Sequence, residues 1–99
     1  MHKYKYMSTH EKLLARFLRF PTDFTWEELK RLLKKYGYYQ NNKGKTSGSR
    51  VVFEKEDSDI SLDLHKPHPK NILKPYQIKD TLEFLKRINA IKDKTETDK

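Results

Sequence analysis

Residues 50–64 read Arg50-Val51-Val52-Phe53-Glu54-Lys55-Glu56-Asp57-Ser58-Asp59-Ile60-Ser61-Leu62-Asp63-Leu64. Val51, Val52 and Phe53 centre a strand expected over Arg50 to Lys55. Asp57-Ser58-Asp59 supplies turn chemistry. Ile60 to Leu64 alternates strictly, which predicts a strand with one buried and one wet face. Just upstream, Tyr38-Tyr39-Gln40 reads as another short strand, with its two tyrosines on opposite faces. Three antiparallel strands in succession are most simply a meander.

Helical signals flank the strands. Thr25-Trp26-Glu27-Glu28 fits a capping box, in which the threonine oxygen accepts from a first-turn amide and Glu28 reaches back. Trp26, Leu29, Leu33 and Tyr36 follow at helical spacing, and Gly37 stands where a left-handed C-cap is expected. An earlier helix is predicted from Ser8 or Thr9 to about Leu18. Its buried stripe would be Leu13, Leu14, Phe17 and Leu18, with Pro21 ending it. Pro75 can open a last helix, on which Ile78, Leu82, Leu85 and Ile88 share one face, with Phe84 alongside. The order helix, helix, three strands, helix predicts an α+β fold with helices on one face of a small sheet. Residues 1–7 are expected to be a flexible basic arm, 8–91 a single domain and 92–99 a disordered tail.

The chain has 99 residues, a net charge of +8 and no cysteine. That length leaves room for one core, and disulfide or thiol chemistry is excluded. No apolar run approaches the 18 or so residues that span a membrane. The N-terminus lacks the apolar stretch of a secretory signal, so a cytoplasmic location is expected. The charge is uneven. Leu29 to Phe53 holds seven cations (Lys30, Arg31, Lys34, Lys35, Lys43, Lys45, Arg50) and no acid. Leu64 to Lys79 holds Lys66, Lys70, Lys74 and Lys79, again with no acid. Between them lie Glu54, Glu56, Asp57, Asp59 and Asp63. Two basic blocks around an acidic hairpin suggest one cationic face, suited to a polyanion. Lysines on a helix surface also serve plain solubility.

Two loops concentrate chemistry. Gly44-Lys45-Thr46-Ser47-Gly48-Ser49-Arg50 brings cations, hydroxyls and backbone donors. It lacks the upstream glycine and following helix of a P-loop, and it can equally be an ordinary hairpin loop. His65-Lys66-Pro67-His68-Pro69-Lys70 brings two imidazoles and two cations, stiffened by proline. One reading of the imidazoles is structural: one bonds backbone at the strand end and the other is solvated. The other reading is contact with phosphate or service as a base. His-x-x-His off a helix, without cysteine or a third ligand nearby, gives little support to a metal site, and no cofactor is indicated. Tyr4 and Tyr6 are the aromatic residues freest to stack on unpaired bases.

Three segments carry a family resemblance. Glu27-Glu28-Leu29-Lys30-Arg31-Leu32-Leu33-Lys34-Lys35-Tyr36-Gly37-Tyr38 resembles the opening helix and strand of HicA-family toxins. Lys45 to Phe53 is similar to that family's glycine-serine turn and second strand. His65 to Pro69, followed by Leu73-Lys74-Pro75-Tyr76-Gln77-Ile78-Lys79, resembles its third-strand exit and last helix. The match covers about residues 24–90. It implies a double-stranded-RNA-binding-domain-like α-β-β-β-α fold, here with an additional N-terminal helix. It also implies a type II toxin–antitoxin component: an RNA-binding mRNA interferase, cutting without a metal and neutralised by a HicB-like antitoxin. RNA contacts are expected from Lys34, Lys35, Lys43, Lys45, Ser47, Ser49, Arg50, Lys66 and Lys70.

The chain departs from the family pattern at Arg50. In the typical toxin a histidine stands there, as the proposed catalytic residue. Ribonuclease chemistry of this kind needs a base for the 2′-hydroxyl proton, an acid for the leaving 5′-oxygen and donors for the phosphate. Imidazole can be acid or base near neutrality. Arginine stays protonated and cannot readily serve as the base, though it can clamp a phosphate bidentately. The catalytic candidates are therefore His65, His68 and Arg50. A non-catalytic RNA-binding or antitoxin-binding module on the same fold is the alternative. A DNA-binding protein using the basic second helix is more distant, since no helix-turn-helix partner precedes that helix at the usual spacing.

Overall fold

A computed structural model describes residues 8–41 and 50–91. The expected arm (1–7), the loop residues Lys43, Lys45, Ser47 and Ser49, and the expected tail (92–99) lie outside the described residues.

Helix α1 spans Thr9–Phe17, α2 Trp26–Lys34 and α3 Pro75–Arg87; strands β1 (Tyr39–Asn41), β2 (Arg50–Glu54) and β3 (Leu62–His65) lie between α2 and α3. The sheet is an antiparallel meander in the order β1-β2-β3, so the expected α+β fold is what forms. Among the described residues no helix is long and apolar enough to cross a membrane.

Capping sets the helix starts. Glu28 N–H donates to Thr25 Oγ1 at 3.1 Å, and Thr25 N–H donates to Glu28 Oε1 at 2.9 Å. Ser8 and Glu11 make the same reciprocal pair for α1. At α3, Lys74 N–H donates to Gln77 Oε1 at 3.0 Å, with Pro75 as the first helical residue. Gly37 ends the α2 turn at φ +89°, and a Cβ there would lie 3.2 Å from the Lys55 side chain. The backbone conformation favours glycine, while the flexible Lys55 side chain could give way to a Cβ.

Alternation sorts the sheet. Val51, Phe53, Leu62 and Leu64 are buried on the inner face. There Trp26 of α2 meets Phe53 at 5.6 Å between ring centroids, and Tyr38 meets Phe84 of α3 edge-on at 5.0 Å. Helix α1 packs on α2 and delivers Phe17 to Phe24 at 5.3 Å. Its Arg16 reaches both Glu28, at 2.8 Å, and Asp23, at 2.9 Å.

Some expectations need correction. Leu18, expected in the α1 stripe, is the C-cap and is 41% exposed. Its N–H still donates to Leu14 O at 2.9 Å, but it stands one residue, about 100° of helical rotation, past buried Phe17 and so falls off the buried side. Helix α2 stops at Lys34, leaving half-buried Tyr36 in the following turn, where its hydroxyl meets His10 Nε2 at 2.8 Å. Strand β1 begins one residue later than expected, and β2 ends at Glu54 rather than Lys55. Strand β3 is Leu62–His65 rather than Ile60–Leu64. Ile60 is held outside the ladder because its N–H donates to Ser58 Oγ.

Candidate functional site

Strand register determines what meets on the open face. In β2 and β3, Arg50 stands opposite His65, Val51 opposite Leu64, Val52 opposite Asp63 and Phe53 opposite Leu62. Val51, Phe53, Leu62 and Leu64 point into the core, so alternation sends Arg50, Val52, Asp63 and His65 to the other face. Arg50, Asp63 and His65 are all exposed. Arg50 Nη2 donates to Asp63 Oδ2 at 2.7 Å, diagonally across the two strands. Asn41 of β1 pairs opposite Val52, and its Nδ2 donates to Glu54 Oε2.

The same register places the exit of β1, the entry of β2 and the exit of β3 at one end of the sheet. The chain leaves β1 at Asn41 and re-enters at Arg50, while β3 exits at His65 directly opposite. The acidic β2–β3 turn lies at the far end of β2, about 13 Å away for a five-residue strand.

Helix starts gather at the loop end. Gln77, 1% exposed, donates from Nε2 to the His65 carbonyl at 2.8 Å, fastening the first turn of α3 to the exit of β3. Trp26 N–H donates to Asn71 O at 3.0 Å and Leu73 N–H to Phe24 O at 2.9 Å. These bonds tie the start of α2 to the segment leading into α3. The positive ends of two helix dipoles therefore lie on the side of the molecule from which the loops emerge, favouring an anion there.

The expected site residues separate into groups. Arg50 and His65 are brought together. Exposed Lys66 follows His65 directly, while His68 and Lys70, also exposed, lie further along the segment towards α3. Among the described residues the His68 side chain makes no hydrogen bond or ion pair. Lys34 and Lys35 are exposed on the last turn of α2. They lie towards the β2–β3 turn, the opposite end from Arg50. Lys34, Lys30 and Arg31 line an open groove of about 390 Å³ with Tyr39 and Gln40 of β1. Tyr39, 51% exposed, is the aromatic on this rim.

Sequence reasoning missed two residues. Asp63 was read as one acid of a hairpin, although its period-2 spacing from His65 already put both on one face. Its pairing with Arg50 depends on register, which no local signal carries. Gln77 enters the sequence reading only within the segment that resembles the family's last helix, yet it is buried and holds the β3 exit.

A protein-family model described as HicA toxin of bacterial toxin-antitoxin matches residues 26–88. The matched segment runs from the start of α2 to the end of α3 and leaves α1 outside. No curated protein matches the chain. No solved structure matches it.

Proposed function

The chain belongs to the HicA toxin family of bacterial toxin–antitoxin systems, and on that premise we propose that it is an RNA-binding, metal-independent mRNA endoribonuclease. It works in the cytoplasm and is held inactive by a HicB-like antitoxin that covers the open face of the sheet. The observation that carries this reading is the Arg50–His65 pairing on an exposed face, at the sheet end from which both loops leave. Arg50 clamps the phosphate, as a planar guanidinium does well. His65 and His68 are the imidazoles available for proton transfer. Lys66 and Lys70, with Lys43, Lys45, Ser47 and Ser49 of the preceding loop, hold flanking phosphates. Lys34 and Lys35, towards the other end of the sheet, meet only an RNA long enough to run along α2.

A second reading is favoured by one residue. Arginine at position 50, where the family pattern has histidine, suits a binding module that keeps RNA intact. Induction of the isolated protein in bacteria separates the two. The endoribonuclease reading predicts growth arrest with loss of full-length transcripts, relieved by Arg50→Ala and by His65→Ala or His68→Ala. Normal growth and intact transcripts on induction of the parent would contradict it.

A further inference from the structure

We propose that Asp63 is a catalytic residue, the base that accepts the 2′-hydroxyl proton, with His65 as the acid and Arg50 as the phosphoryl clamp. The proposal rests on the endoribonuclease reading above and assigns the proton that Arg50 cannot take.

Asp63 and His65 are two residues apart on one strand and share its exposed face, so their Cα atoms are about 6.6 Å apart. Arg50 stands opposite His65, and its guanidinium ends on Asp63 at 2.7 Å. A carboxylate, a guanidinium and an imidazole thus rise side by side from one rigid sheet surface, spaced to surround one phosphodiester. Elements of a sheet hold such groups more firmly than loops do. As a stabilising contact the ion pair contributes little, because the side chains of Arg50 and Asp63 are 53% and 47% exposed.

Chemistry then distributes the roles. A guanidinium has five N–H donors, so Arg50 can keep Asp63 in place and still bind a non-bridging phosphate oxygen. A carboxylate is ordinarily ionised at neutral pH and able to accept a proton. Imidazole changes its charge near neutrality and can donate one. As the 2′-oxygen attacks phosphorus, its proton passes to a carboxylate oxygen of Asp63. The 2′-O–P bond forms, the P–O5′ bond breaks, and the departing 5′-oxygen takes a proton from the His65 imidazolium. The products are a 2′,3′-cyclic phosphate and a free 5′-hydroxyl. Asp63 has then gained one proton and His65 has lost one; exchange with water restores both.

The test uses the full-length chain and a synthetic RNA carrying a cleavage site mapped in a long transcript. Asp63→Asn is expected to cut about 10²- to 10⁴-fold more slowly, the usual loss for a missing acid or base. Its binding to the same RNA blocked by a 2′-O-methyl group should stay within a few-fold of the parent. Asp63→Glu, which keeps the carboxylate, should recover part of the rate. Replacing the bridging 5′-oxygen by sulfur gives a leaving group that needs no acid. That substrate should restore cleavage by His65→Ala and leave Asp63→Asn slow. Cleavage by Asp63→Asn within a few-fold of the parent, or its rescue by sulfur, would overturn the assignment while leaving the ribonuclease reading intact. Failure of the parent to cut any RNA would overturn the ribonuclease reading, and the assignment with it.

Discussion

Gln77 fixes where His65 leaves the sheet. It is nearly fully buried, its amide nitrogen donates to the His65 carbonyl and its amide oxygen accepts from Lys74 N–H. One side chain therefore bonds a strand exit and a helix start at once, and both polar atoms of this buried amide have partners. Gln77→Leu keeps similar bulk and removes both bonds. It is expected to cost about 1–3 kcal/mol, read as a lower denaturant midpoint with unchanged slope. It should also move the backbone signals of His65 to Pro67. An unchanged midpoint would show that the two bonds do not position the site. Nothing in the local pattern distinguishes Gln77 from an exposed polar residue of a first helical turn; its burial comes from β3, which is distant in sequence.

Helix α1 lies outside the matched segment and is docked by contacts that acid removes. Burial, then the nearby Lys35 charge, holds the His10 imidazole below its ordinary pKa of 6.5, with Glu11 opposing. The unfolded chain therefore binds a proton more readily at that site. The contribution is full above pH 6.5 and falls as pH drops towards the lower folded value. Hydrogen bonding to Arg16 is the largest influence holding Glu28 below its ordinary 4.5, with burial opposing. Its contribution is present above that value and is lost as pH falls through the folded one. Thermal unfolding at pH 7.5 and 5.5 should show a drop for the parent and a smaller drop for His10→Gln. Equal drops would mean that His10 does not couple docking to pH.

These elements also show what one sequence discloses. Reciprocal Thr25–Glu28 capping, the Gly37 stop, Pro75 opening α3 and the alternation through Leu62 and Leu64 depend on residues close in sequence, and all were readable. Leu32, fully buried on α2, belongs to a stripe wider than the one read from spacing alone, because β1 and α1 enclose the helix from two sides. The Arg50–His65 opposition follows from a register set by side-chain packing in the core. The candidate catalytic residues could be named individually, but not their arrangement.

Over the whole molecule, charge follows topology in part, since Lys34 and Lys35 lie towards the acidic turn. The chain carries +8, the acidic turn sits at one end of the sheet, and both loops leave from the other. Two helices begin on that side. A polyanion approaching such a molecule is drawn to one end by the field and by counterion release. Any RNA affinity should accordingly fall steeply with added salt, whether or not the RNA is cut, so binding alone does not distinguish a toxin from a passive module. Cleavage chemistry does. The most direct measurement incubates the purified chain with a long transcript in the presence of a chelator and examines the new RNA ends. The account predicts fragments ending in a 2′,3′-cyclic phosphate and a 5′-hydroxyl, with no cut where the 2′-hydroxyl is absent. Intact RNA that is merely retained by the protein, and released by salt, would contradict it.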